Sequence, residues 1–144
     1  MLGLSVGCAT RRYQPVEKIQ HIGPSPQGEA YAHYLKALSY LHDNNADKAT
    51  TELEEVLRLD PTAARAATAL ATLYKINHQQ DKAISLLERV AAAGADTPNL
   101  SMILASLYSS AGRAEDAVAV LEKAVKSESA TPSLHMMLAA MYQQ

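Results

Sequence analysis

The chain has 144 residues, which is room for one compact domain or a few units of a helical repeat but not for two independent cores. Hydrophobic residues make up 48% of it, Phe and Trp are absent, and Ala and Leu dominate, a composition that favours closely packed helices over a sheet. The 13 Lys and Arg against 15 Asp and Glu give a net charge of -2 without a basic stripe on any predicted helix, which argues against nucleic acid as a partner.

The first residues form an apolar stretch that ends in a small residue, Gly7, followed by Cys8. This pattern resembles the end of a secretory signal at a bacterial lipoprotein processing site, which implies cleavage before Cys8 and a lipid attached to it. The stretch is shorter than the 15–30 residues of a usual signal and has no basic segment before it, and Ser5 stands where Leu is usual. The alternative is an ordinary free thiol. Because Cys8 is the single cysteine, an internal disulfide is excluded.

Residues 9–27 contain three prolines, a glycine and two arginines without helical periodicity, and we expect them to form a flexible tether. Such a tether reaches about 60 Å at most. Ala9 and Thr10 include no acidic residue of the kind that retains enteric lipoproteins in the inner membrane. The resemblance therefore implies the periplasmic face of the outer membrane, and the alternative is the cytoplasm.

From residue 28 onward the sequence repeats with a period of 34. Tyr40, Tyr74, Tyr108 and Tyr142 are each 34 residues apart. An alanine follows each of the first three tyrosines by nine residues and a leucine by thirteen: Ala49, Ala83, Ala117, Leu53, Leu87 and Leu121. This period is the length of one helix-turn-helix repeat unit.

The pattern resembles the tetratricopeptide repeat family, whose unit runs W-x2-L-G-x2-Y, then A-x3-F, then P. It departs at the tryptophan position, which is taken by His33, Ala67, Ser101 and His135 in the four units. The resemblance implies an all-α domain over 28–144, built as a right-handed superhelical stack of antiparallel helix pairs. Its units are expected at about 30–63, 64–97 and 98–131, with a partial unit at 132–144.

Apolar residues recur at steps of three and four, which places them on one face of each helix. The predicted helices lie near 29–43, 46–59, 63–77, 80–93, 98–111, 114–127 and 132–143. Turns are predicted around Asn44, His78 and Gly112.

Local pairings are also predicted. Thr97 and Thr131 each precede a proline and are expected to cap helix amino termini with their hydroxyl groups. The four-residue pairs Glu54–Arg58 and Glu122–Lys126 are expected to stabilise exposed helix faces.

The carboxyl-terminal segment holds only the first helix of a fourth unit. Without a following helix to pack on, four apolar residues of this segment are each expected to have one uncovered side: Leu134, Met137, Leu138 and Met141. The hypothesis is that the sequence continues in a longer array, or that this end pairs with another chain.

No residue pattern indicates catalysis. The five histidines have no spacing of three or four residues that would place two metal ligands on one helix face, and no phosphate loop, G-x-S-x-G or H-E-x-x-H occurs. We therefore predict no catalytic, cofactor-binding or metal-binding residues, and a protein that is not an enzyme.

In the tetratricopeptide repeat family, five positions of each first helix line a concave groove that holds a partner. Carried over, the groove residues are Tyr31, Tyr34, Leu38, Leu41, His42, Arg65, Thr68, Thr72, Lys75, Ile76, Asn99, Met102, Ser106, Ser109 and Ser110, and in the fourth unit Ser133, Met136, Ala140, Gln143 and Gln144. The Lys and Asn with which chaperone-binding members clamp a terminal carboxylate are not at the corresponding positions. We therefore expect an extended or helical segment with an apolar anchor on Tyr31, Tyr34 and Leu38. The alternative is that the two tyrosines only cap the first hairpin or contact the tether.

The resemblance implies a protein–protein interaction scaffold. From the layout of similar lipoproteins, the expected role is a lipid-anchored periplasmic adaptor in the assembly of a cell-envelope complex, such as pilus, secretion or outer-membrane machinery. The alternative is a soluble cytoplasmic interaction module, or a fragment of a larger regulator or transferase.

Overall fold

The structure is a computed structural model that describes residues 25–143, and the predictions for Cys8 and most of the tether lie outside this range. Within it the chain forms seven helices and no strand: α1 Pro26–His42, α2 Ala46–Leu59, α3 Ala64–Ile76, α4 Gln80–Ala92, α5 Pro98–Ser110, α6 Ala114–Val125 and α7 Pro132–Met141. All seven helices were predicted, each within three residues of its observed ends. None of these helices is long and apolar enough to cross a membrane.

Each hairpin turns at a residue with positive φ: Asn44 at 54°, His78 at 58° and Gly112 at 74°. The backbone N–H of the next residue donates to the carbonyl of the repeating tyrosine, for example from Asn45 to Tyr40 at 2.8 Å. This bond satisfies a carbonyl that the end of the helix leaves free. The predicted turns are thus confirmed, and the repeating tyrosine also marks the last turn of each first helix.

The predicted amino-terminal caps are confirmed in one case and wrong in the other. The Oγ1 of Thr97 accepts a hydrogen bond from the N–H of Leu100 at 3.3 Å. Thr131 has the same extended backbone, but its side chain makes no capping bond. The N–H of Leu134 donates instead to the carbonyl oxygen of Thr131 at 3.0 Å, so the turn is closed by backbone alone.

The core consists of small residues and leucines at repeating positions. Two alanine series and one leucine series, each spaced by 34 residues, are fully buried: Ala37, Ala71 and Ala105; Ala49, Ala83 and Ala117; and Leu53, Leu87 and Leu121. Because alanine has no side chain beyond Cβ, the two helices of a hairpin can approach closely, and the leucines fill the space that remains.

From the second unit onward, the stack curves so that the first helices lie on its inner side. Beyond the contacts between consecutive helices, α3 packs on α5 and α5 on α7, whereas no comparable contact joins α2 to α4 or α4 to α6. The second helices are therefore spread apart on the outer side. This arrangement confirms the predicted all-α stack of antiparallel helix pairs.

The exposed side of α7 differs from the predicted one. Leu134 is fully buried, because α7 packs this residue into the end of the core against α5 and α6. The prediction that Leu134 has an uncovered side was therefore wrong. Met137, Leu138 and Met141 are half-buried. The most exposed apolar side chains of this helix are Met136, at 73%, and Tyr142, which follows it.

Candidate functional site

The amino-terminal part of the inner face brings two aromatic residues of α1 together with a cation of α3. Tyr31, Tyr34 and Arg65 line a cavity of about 340 Å³ whose remaining wall is largely small residues. Tyr31 is 63% exposed, which is unusual for a large side chain with an apolar ring. These three residues are called the tyrosine subsite below. Leu38, one turn beyond Tyr34, is also exposed and extends the apolar surface along α1.

The middle of the inner face holds a second cavity, of about 350 Å³, between α3 and α5. Five predicted groove residues line it together, and we call them the central subsite: Thr72, Lys75, Asn99, Met102 and Ser106. Met137 of α7 closes one side. Among the described residues Lys75 forms no salt bridge, so its ammonium group is free to meet a negative charge. The subsite therefore combines an apolar floor with polar groups and one cation.

The other predicted groove residues within the described range lie outside both cavities, and some hydroxyl groups of the inner face are already bonded. The hydroxyl of Thr72 donates to the carbonyl oxygen of Thr68 at 2.8 Å. Leu41 is half-buried against the core and His42 is exposed at the end of α1. Thr68 is buried, and its hydroxyl donates to the carbonyl of Arg65 at 3.1 Å. Thr68 therefore packs inside the stack, and its hydroxyl proton is not available to a partner.

A second set of contacts joins successive units and was missed from the sequence. The phenol of Tyr74 donates to Glu54 at 2.8 Å, and the same bond recurs between Tyr108 and Glu88 and between Tyr142 and Glu122. Each bond connects the first helix of one unit, or its end, to the second helix of the preceding one. The sequence signal was present, because the glutamates share the 34-residue period of the tyrosines.

Burial and these bonds raise the pKa of the tyrosines, and the bonds prevent the predicted ion pairs. Burial, together with the bond to a glutamate, raises the pKa of Tyr74 and of Tyr108 to about 12. The predicted Glu54–Arg58 pair is wrong because Glu54 is bonded to Tyr74, and Arg58 pairs instead with Glu55 at 2.6 Å.

The second predicted ion pair is wrong for the same reason. Glu122 accepts the hydroxyl of Tyr142, and Lys126 forms no salt bridge within the part of the chain that the structure describes.

Metal-ligating side chains do not cluster on either face. Within residues 25–143, no three His, Cys, Asp or Glu side chains are close enough to hold a metal ion together. One histidine is tied into the structure: the Nδ1 of His33 lies 2.6 Å from Glu52, which joins α1 to α2.

A stack of helix pairs with an inner groove of exposed side chains defines a helical-repeat scaffold for protein–protein interaction. Two family models match the chain: "Tetratricopeptide repeat" over residues 40–107, and "Anaphase-promoting complex, cyclosome, subunit 3" over residues 76–144. With the 34-residue period and the fold, these matches show that the chain belongs to the tetratricopeptide repeat family. Tetratricopeptide repeats are in general non-enzymatic interaction modules, in agreement with the prediction from sequence. A search of curated protein sequences finds no match.

Solved structures of other tetratricopeptide repeat proteins share the fold. A thermophilic member from Thermus thermophilus is 23% identical with a TM-score of 0.60; the match covers 83% of this chain and 63% of that one. The first repeat domain of Spaghetti, bound to an HSP90 peptide, is 16% identical with a TM-score of 0.69, covering 81% and 95%. The Yersinia enterocolitica type III secretion chaperone SycD, in complex with a peptide of the translocator YopD, is 18% identical with a TM-score of 0.65, covering 78% and 92%.

Proposed function

We propose that the inner groove holds a segment of a partner protein, anchored by an apolar side chain at the tyrosine subsite. The observation that carries this proposal is the cavity that Tyr31 and Tyr34 of α1 form with Arg65 of α3. Accessible aromatic rings beside a guanidinium are typical of positions that contribute most to binding energy, because a ring buries a large area at little cost in conformational entropy and a guanidinium forms several directed hydrogen bonds. Leu38 lengthens the same surface by one helical turn.

The central subsite would hold the next part of the same segment. Lys75 suits a carboxylate, while Asn99 and Ser106 suit backbone or polar side-chain groups over the apolar floor of Met102. The peptide complexes of Spaghetti and SycD support this use of the fold, since both related structures contain a bound peptide.

Site-specific photo-crosslinking in the native host tests the groove. A photoreactive residue at Leu38 is compared with one at Thr51, which is exposed on α2 and away from the groove. We expect a discrete adduct from position 38 that the double change Tyr31→Ala and Tyr34→Ala reduces at least tenfold. Equal adducts from both positions, or an adduct that survives loss of both rings, would contradict the proposal.

We further propose that the chain is a lipid-anchored adaptor on the periplasmic face of the outer membrane, acting in assembly of a cell-envelope complex. The support is the Gly7–Cys8 pattern and the proline-containing segment that separates it from α1. The anchor would keep the groove within reach of envelope proteins, at the end of a tether of about 60 Å at most.

Mass spectrometry of the protein expressed from its genomic start in a Gram-negative host tests the anchor. We expect a diacylglycerol-modified Cys8 at a new amino terminus in the membrane fraction, and its loss in Cys8→Ala. An intact, unmodified Met1 in the soluble fraction would instead support a cytoplasmic interaction module.

A further inference from the structure

A third cavity, of about 740 Å³, lies on the outer side of the stack between α2 and α4. The leucines on its floor are buried, so its accessible apolar surface comes from the ring of Tyr74 and from Pro61, and Ser85 also lines it. It exists because α2 and α4 each pack on α3 but make no comparable contact with one another, which leaves α3 as the floor of the gap. We call this cavity the outer wedge. None of its lining residues belongs to the inner groove.

The rim of the outer wedge carries charged side chains of both signs. Three cations and two acids line it: Arg58, Lys82, Arg89, Glu54 and Asp81. Glu54 accepts the hydroxyl of Tyr74 and Arg58 is paired with Glu55.

The other two cations are open to a ligand. The ammonium group of Lys82 lies 5.9 Å from the centre of the Tyr74 ring, and Arg89 forms no salt bridge among the described residues. Two cations therefore face the wedge without a carboxylate bound to either.

The next repeat provides an internal comparison, 34 residues further along the chain. Lys123 stands at the position of Arg89 and is paired with Asp96 at 2.9 Å. In the outer wedge the position of Asp96 is taken by Thr62, so Arg89 has no such partner.

The other rim positions change in the same direction. Asp116 replaces Lys82 and Ala92 replaces Arg58. The two unpaired cations are therefore a property of the wedge between α2 and α4 and do not follow from the repeat itself.

We propose that the outer wedge is a second docking site, for a protein segment in which apolar side chains are flanked by carboxylates. Carboxylates would reach Lys82 and Arg89, while the apolar side chains cover the ring of Tyr74 and Pro61. Complementary charge sets the orientation and speeds the encounter, and this apolar surface supplies the contact area. Since the wedge and the groove share no residue, one chain can bind two partners at once.

Amide chemical shifts of the full, ¹⁵N-labelled chain test this site, with a short peptide of two leucines flanked on each side by two glutamates as the probe. We expect saturable changes centred on Lys82, Ser85 and Arg89. Lys82→Glu or Arg89→Glu should weaken binding at least tenfold, whereas Lys126→Glu, the same charge change outside the wedge, should leave it within twofold.

Ser85→Tyr keeps every charge and fills the cavity, so it separates shape from electrostatics and should also weaken binding at least tenfold. Circular dichroism checks that each variant retains the helical fold. The proposal is overturned by shift changes centred on the inner groove, by equal binding of a peptide with lysines in place of the glutamates, or by no saturation at millimolar peptide. Wedge shifts that depend on protein concentration without peptide would overturn it as well, since the occupant would then be a second copy.

Discussion

At the scale of single residues, the hairpin turns depend on three positions with positive φ. Gly112 has φ of 74° and open space where a Cβ would stand, so only backbone conformation opposes a side chain there. We expect Gly112→Ala to lower the free energy of unfolding by about 1 kcal/mol, because an L-residue is strained in this region. Urea denaturation followed by circular dichroism measures the change.

The reverse substitution, made in the second hairpin, should change the free energy of unfolding in the opposite direction. His78 adopts φ of 58° with a full side chain, so His78→Gly relieves strain. The gain is partly offset by the greater freedom of glycine in the unfolded chain, and we expect a net stabilisation of about 0.5 kcal/mol. If both variants moved stability in the same direction, the backbone explanation would be wrong.

At the scale of helices, the tyrosine–glutamate bonds fasten each unit to the one before it. Tyr108 is buried and its hydroxyl donates to Glu88. We expect Tyr108→Phe to lower the free energy of unfolding by about 1 kcal/mol, because this bond is lost. Tyr142→Phe is the matched control, since the same bond is exposed there and should contribute less. Equal losses in the two variants would contradict the role of burial.

The same bonds predict a dependence on alkaline pH. The pKa of Tyr108 is raised from about 10 in an unfolded chain to about 12, so folding favours the neutral phenol. This contribution is fully present below pH 10 and is lost as the pH rises to 12. Unfolding curves at pH 9 and pH 11.5 should therefore differ more for the wild type than for Tyr108→Phe. A pH dependence that is identical in both proteins would assign the alkaline loss to other groups.

Local pattern predicted the helices well and the contacts between units poorly. Helix ends follow from apolar spacing and turn residues within a single stretch, such as that around His78, so they can be inferred without a structure. The bond from Tyr74 to Glu54 joins residues 20 apart on helices of different units, and it displaced the short-range Glu54–Arg58 pair. Four-residue spacing alone does not reveal that an acid already has a better partner.

At the scale of the whole molecule, the inner and outer faces differ in how much of each could be predicted from the sequence. Five residues that line the central cavity, such as Lys75 and Asn99, could be named from the sequence because family positions transfer directly onto α3 and α5, and their role in binding stays a prediction. The outer wedge could not be predicted, since it depends on the gap that packing leaves between α2 and α4. Its unpaired cations become apparent only when Arg89 is compared with Lys123, whose charge Asp96 neutralises.

In a stack where each unit contacts only its neighbours, the terminal unit should unfold before the middle ones. Leu134 is the fully buried side chain that holds α7 against the core, and Leu87 is a fully buried leucine on the second helix of the second unit. Either leucine changed to alanine removes about 2–5 kcal/mol of packing. We expect Leu134→Ala to speed amide hydrogen exchange in α7 and leave α3 and α4 unchanged, whereas Leu87→Ala speeds exchange throughout. Mass spectrometry of exchange resolves the two patterns, and a uniform rise with Leu134→Ala would mean that the described helices unfold as a single unit.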